Sequence, residues 1–333
     1  MLTSSAGVLA LPMTHYRAPA SATADYVPLI DTATQQLQVL HKLIAAQHRD
    51  HTPFESRKDA TWLLGAISSL AKRTHECGGW PMLGRFGSTH DGGWWLCASP
   101  GLRQPQCAAY SLGIGFDMSF DLAAAKALPT CVIHMLDPTP TVVAYYHSQQ
   151  SKANDLPPNL RFHPIGLGSH DHNVSMNNRY TRQSTSGAHA PLGGAGGTPS
   201  EMLTLASIRH RLGGAPPRVV KIDVEGAEWG AGMSALATSG ADQLLLELHG
   251  RPASWLPLIE TLVREGGYML WGVEEGRFYS GEREAKEKTS STGASPSATV
   301  SHAHAYNSSR LLPMPNVDLI YANIYMVRPR LAA

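Results

Sequence analysis

Residues 110–121 read YSLGIGFDMSFD, an apolar run that gives way to Gly113 and Gly115 and then to a segment of helical character. Glycine reaches dihedrals closed to other residues and lets a ligand approach the backbone, so such a strand-to-helix turn makes a nucleotide-sized seat. Gly-x-Gly by itself is a weak signal: the third glycine of the dinucleotide fingerprint is missing, and Met118 stands where it would fall. The next run strengthens it. VIHMLD, residues 132–137, ends in a carboxylate about twenty residues after the turn. An acid closing the neighbouring strand can accept hydrogen bonds from both hydroxyls of a ribose. Asp137 is the expected ribose ligand, and a simple chain turn at Asp137-Pro138 is the competing account.

Further along, residues 219–229 read VVKIDVEGAEW, a buried strand with Asp223 at its carboxyl end, followed by Glu225, Gly226 and Glu228. This concentrates acids where an open α/β sheet binds its ligands, and buried carboxylates seldom lack a partner or a task. An ion-pair network that includes Lys221 is the purely structural alternative. The run QLLLELH, residues 243–249, brings Glu247 and His249 to the same edge. Asp223, Glu225 and His249 are therefore the expected catalytic group. His249, whose ordinary pKa lies near neutrality, is first choice as base, with Asp223 or Glu225 orienting it or the substrate. The same three residues offer oxygen and imidazole ligands to a divalent cation, the less specific of the two readings.

Working outward, short apolar runs predict strands over 108–112, 132–136, 161–165, 219–223, 244–248, 268–273 and 319–327. Their near-continuous apolar character suits a mostly parallel sheet covered by helices on both faces. Upstream, Ile30, Leu37, Leu40 and Ile44 recur at helical spacing within 27–49, and Leu63, Ile67 and Leu70 mark a second amphipathic helix with Asp59 near its positive end. The chain divides into a helical arm at residues 1–76, packed on an α/β domain at 77–333. The Gly/Ser/Thr/Pro-rich stretch 184–200 and the stretch 281–309, which opens on GEREAKEK, lack the apolar content to order themselves and are expected as mobile insertions. His302 and His304 in the second are expected to be solvated.

The 333 residues are 43% hydrophobic and 16% charged, and no apolar run nears the length of a membrane-spanning helix. With 27 Lys and Arg against 26 Asp and Glu, the net charge of +1 supplies no broad field for polyanions, so no nucleic-acid partner is expected. Cys77, Cys97, Cys107 and Cys131 lack the C-x-x-C spacing of a zinc site. A bridge between Cys97 and Cys107 and buried free thiols are the open alternatives. The apolar stretch 6–13 has no basic flank or convincing cleavage site, and Asn173-Val-Ser175 and Asn307-Ser-Ser309 are glycosylation sequons that matter only in a secretory lumen. Cytoplasm and lumen both stay open, as does oligomeric state.

The pieces DGGWWLC (91–97), YSLGIGFDMSFD (110–121), LDP (136–138), IGLG (165–168) and KIDVEGAEW (221–229), in this order, resemble a methyltransferase-like family, methyltransferase domain family 22, related to FkbM-type methyltransferases. The likeness covers roughly residues 80–275 and the final strand, and KIDVEGAE is its most specific part. It implies a Rossmann-like, seven-stranded class I methyltransferase fold with an N-terminal helical extension, and S-adenosylmethionine as methyl donor. In FkbM-type relatives it implies O-methylation of hydroxyls on sugars or natural products, hence a small-molecule or glycan acceptor. Carried over by position, Ser111, Gly113 and Gly115 match the donor turn, Asp137 the ribose-binding acid, and Asp223 lies beside the methionine part and the acceptor. Gly166 of IGLG joins the cofactor-binding set, while Tyr110-Ser111 replaces the acidic opening of the FkbM donor turn. Trp94 or Trp95 would stack on a ring or anchor the arm, and Arg85 would neutralise a carboxylate. Two readings from other classes stand beside this one: a binding protein that keeps the fold but transfers nothing, and a nicotinamide-dependent oxidoreductase. The missing third glycine and the acidic KIDVEGAE stretch count against the latter.

Overall fold

The structure, a computed structural model, describes residues 33–47, 57–72, 76–89, 92–152, 156–176, 197–224, 227–230, 232–249, 252–275 and 321–328. Two helices, α1 (Ala33–Gln47) and α2 (Arg57–Lys72), precede a hairpin of β1 (Met82–Phe86) and β2 (Trp94–Cys97). Then follow β3 (Cys107–Leu112), α3 (Ser119–Ala127), β4 (Cys131–Leu136), α4 (Pro140–Lys152) and β5 (Leu160–His163). Next come β6 (Ile165–Leu167), β7 (His172–Met176), β8 (Thr198–Leu203) and α5 (Leu205–Arg211). The chain closes with β9 (Val219–Ile222), β10 (Gln243–His249), α6 (Pro252–Arg264), β11 (Met269–Glu275) and β12 (Tyr321–Val327).

Seven strands form the main sheet in the order β5-β4-β3-β9-β10-β12-β11. The pairs from β5 through β10 are parallel, and β12 runs antiparallel to both neighbours. This is the Rossmann-like, seven-stranded α/β fold that the sequence and its resemblance lead one to expect. Period-two alternation splits the interior into two cores. On one face Val220, Leu244, Leu246 and Ile324 pack under α1, α2 and α6; on the other Ala109, Ile133, Val219 and Leu245 pack under α3, α4 and the β1–β2 hairpin. Leu63, Ile67 and Leu70, the stripe read from sequence, are fully buried and seat α2, each stabilising the fold by about 1.5–3 kcal/mol. Gln36 fastens α1 to β11 through paired hydrogen bonds with the Leu270 backbone at 2.7 and 2.8 Å.

Three expectations change. The strand read over 161–165 is two strands: β5 belongs to the main sheet and β6 to a separate three-stranded sheet, order β6-β8-β7. Pro164 stands between them, and without an N–H it ends the ladder. Thr198, Pro199 and Ser200, placed by sequence in an insertion, begin β8; residues 184–196 and 281–309 lie outside the described residues, as do His302, His304 and Asn307. Neither alternative left open for the cysteines holds: in place of a Cys97–Cys107 bridge or free thiols there are two bridges, Cys77–Cys97 and Cys107–Cys131. The second joins residues that face each other at the start of the neighbouring parallel strands β3 and β4, so the register of those strands sets the partner. No helix among the described residues is long and apolar enough to cross a membrane.

Candidate active site

The main sheet reverses direction of growth between β3 and β9, and an open α/β sheet binds ligands in the crevice outside its carboxyl ends at such a point. On the β3 side the crevice is shaped by backbone. The Gly113 amide donates to Leu136 O at 2.8 Å, and the Asp223 amide donates to Leu112 O at 3.0 Å. These two bonds draw the ends of β3, β4 and β9 together. Gly113 has φ +75°, and a Cβ there would lie 1.7 Å from the Asp223 carbonyl oxygen, so only glycine fits.

Two residues on, the Gly115 amide donates to Asp137 Oδ2 at 3.1 Å, while Asp137 Oδ1 accepts from the Thr139 amide at 2.9 Å. Burial raises the Asp137 carboxyl above the ordinary value, and the backbone amides act against that rise. Asp137 is 3% exposed and ties down the Asp137-Pro138 turn, accepting from the chain at Gly115, Ile114 and Thr139. Gly166 is buried in β6, where an added Cβ would meet Met202 and Pro138, so its small size is required by protein packing against that turn. Phe116, exposed at the rim, meets Tyr145 edge-on at 5.4 Å.

Ser111 faces away from the crevice into a buried charged layer beneath it. Its hydroxyl lies beside the Asp121 carboxylate without closing a full hydrogen bond. Burial pushes the Asp121 carboxyl up to about 6, against the pull of Lys221 and Ser111. Lys221, buried on β9, donates to Gly113 O at 2.8 Å and reaches Asp223 Oδ2 at 3.3 Å. Burial pulls its pKa down, but the charges of Asp223, Asp121 and Glu247 outweigh that and hold it above the usual lysine value. Trp94 covers this layer, its ring centroid 5.4 Å from Lys221 Nζ and its edge against Tyr325 at 6.0 Å. Trp94 thus anchors the hairpin rather than presenting a face to a ligand. Its neighbour Trp95 donates to Glu274 at 2.8 Å, and Arg85 lies 3.6 Å from the same carboxylate.

On the β10 side the crevice is lined by side-chain charge. Ligand-capable atoms of Asp223, Glu247 and His249 lie within 4.8 Å of one another. Glu225 and Gly226 lie outside the described residues; among the described residues Glu247 is the third member of the cluster. His249 is gripped from both sides: Nδ1 lies 3.0 Å from Glu228 Oε1 and Nε2 lies 3.0 Å from Glu247 Oε1. The same Glu228 oxygen accepts the His249 amide at 2.7 Å. Burial pulls the imidazole down, yet the two carboxylates push it up to about 11. With a carboxylate at each nitrogen, the ring is biased toward its protonated form.

Glu228 was read from sequence as one acid among several, and Asp121 was given no task. A signal for Asp121 was present: it sits three and four residues before Ala124 and Ala125 on the buried face of α3, where a charge needs a partner. Glu228 had none, because its partner is 21 residues away at the end of β10.

A model of the methyltransferase domain family (Methyltransf_22) matches residues 31–269 and so takes in both N-terminal helices. Among solved structures, the chain is similar to precorrin-6y C5,15-methyltransferase from Geobacter metallireducens GS-15. The identity is 13% over 68% of this chain and 83% of that one, with a TM-score of 0.34. It is also similar to methyltransferase FkbM from Methylobacillus flagellatus KT, at 12% identity over 71% of this chain, with a TM-score of 0.39. The similarity extends over 55% of the FkbM chain. No curated protein sequence matches.

Proposed function

This chain belongs to the methyltransferase domain family, and on that premise we propose that it methylates a hydroxyl oxygen of a sugar or small natural product, with S-adenosylmethionine as donor. One observation carries the reading: a backbone-lined half and an acid-lined half meet at the reversal point of the sheet, Gly113 against Asp223. The residues suit the donor in kind. Asp137 closes β4 beside the glycine turn, the position from which a carboxylate receives the hydroxyls of a ribose, in exchange for bonds it now accepts from the chain. The acids Asp223 and Glu247 favour a cationic ligand in the crevice.

S-adenosylmethionine supplies an electrophilic methyl group on a good leaving group. The protein's task is then to align the acceptor oxygen and receive its proton, an aid of roughly 10²–10⁴-fold for the proton transfer. We assign the proton to Asp223, the most accessible member of the cluster, in place of His249. His249, held as a cation by Glu228 and Glu247, orients Glu247 toward the acceptor. No divalent cation enters this reading.

Calorimetric titration with S-adenosylmethionine, followed by detection of S-adenosylhomocysteine over a panel of hydroxylated acceptors, tests it. Donor binding with turnover on a sugar or small polyol is the expected result. Binding without turnover on any acceptor favours a protein that keeps the fold but transfers nothing, and preferential binding of NAD sinks the proposal.

A further inference from the structure

Lys221 is buried beneath the crevice, and its contacts join the two halves. Its ammonium group donates to the carbonyl of Gly113 on one side and pairs with the carboxylate of Asp223 on the other. Gly113 has no side chain by which it could be held, and Asp223 approaches it through backbone alone. Lys221 is therefore the one described side chain that bonds both to the glycine turn and to the acid facing it. Trp94 lies over it and excludes water from that side. A buried charge in such a place acts on a ligand's charge as well as on geometry, because the low-dielectric interior screens it weakly.

We propose that Lys221 is a positioning residue that locks the glycine turn to Asp223 and, by offsetting the Asp223 charge, sets how strongly the crevice prefers a cationic ligand over its neutral counterpart. This rests on the reading that the crevice takes S-adenosylmethionine. That donor carries a sulfonium cation and its product, S-adenosylhomocysteine, a neutral thioether. The offset keeps the acids from holding the donor too tightly relative to the product.

The test measures dissociation constants of S-adenosylmethionine and S-adenosylhomocysteine by calorimetry for the full chain, Lys221→Met and Asp223→Asn. Lys221→Met removes the offset, so the product-to-donor ratio of dissociation constants should rise at least about fivefold; Asp223→Asn should lower it by a similar factor. A purely structural lysine would weaken both ligands alike. Ratios within about twofold of the parent in both variants, or proportionate loss of both ligands, overturn the proposal. Should Lys221→Met lack a cooperative melting transition, Lys221→Gln, which also removes the charge but keeps a polar tip, takes its place, a raised ratio supporting the proposal and an unchanged one overturning it. If the unaltered chain binds neither ligand, it is the donor reading itself that fails, and the parent titration shows this before any variant is compared.

Discussion

The two halves of the crevice are held by different physics. On the β3 side, Gly113, Gly115 and Asp137 are fixed by amides and by the absence of a side chain. On the β10 side, Asp223 is held by the charge of Lys221, and Glu228 and Glu247 by that of His249. The first kind of order is a matter of shape and fails abruptly when an atom is added. The second depends on protonation and on each group keeping its partner, so it fails by degrees and with pH.

The contrast can be broken at its sharpest point by Gly113→Ala. The added methyl would overlap the Asp223 carbonyl in a backbone already at φ +75°, and the expected cost is on the order of 5 kcal/mol. Thermal unfolding followed by circular dichroism should show a fall in Tm of 10 °C or more, roughly, or no cooperative transition at all. A Tm within a degree or two of the parent would mean that the strand ends are not held as described. On the charged side, Glu228→Ala leaves a buried imidazolium with one carboxylate where it had two. A loss of about 3 kcal/mol is expected, because an uncompensated buried charge is costly. Glu228→Gln should recover part of it, and equal stability of the three proteins would deny Glu228 its grip on His249.

Asp137→Asn tests the backbone-built half without a steric change. Donor affinity should fall roughly 10–100-fold, the worth of hydrogen bonds to a charged acceptor, while the far-ultraviolet spectrum stays the same. Unchanged affinity would return Asp137 to a turn-forming role alone. The last effect is one of slope. His249 rises from 6.5 unfolded to about 11 folded, so its contribution is whole below pH 6.5 and is lost as pH rises through about 11. Stability should therefore decline steadily with pH across that window, and His249→Gln should flatten the decline. Denaturant titrations at several pH values would show an identical slope in both proteins if the imidazole were not held charged.

The glycine turn, the acid closing β4 and the KIDVEGAE strand were legible because each is local. A strand's period, a turn's glycines and the residue at a strand's end all sit within a dozen positions of one another. Ser111 was legible as part of the turn, but its direction was not, since the face to which a strand side chain points depends on which sheet surface the neighbouring helix covers. The cysteine pairing and the Glu228–His249 contact were hidden for a related reason. Both join residues whose distance is set by strand register across the sheet and by the return of the chain from a distant segment.

By itself, then, the sequence determined a mostly parallel α/β sheet with a glycine turn at the carboxyl end of β3, because hydrophobic periodicity and glycine dihedrals are properties of short segments. Only the tertiary structure decided that Lys221 bonds to both Gly113 and Asp223 and that His249 lies between the carboxylates of Glu228 and Glu247. Protonation and pairing depend on what charges lie within a few ångströms, and those neighbours come from strands that meet only when the chain has folded.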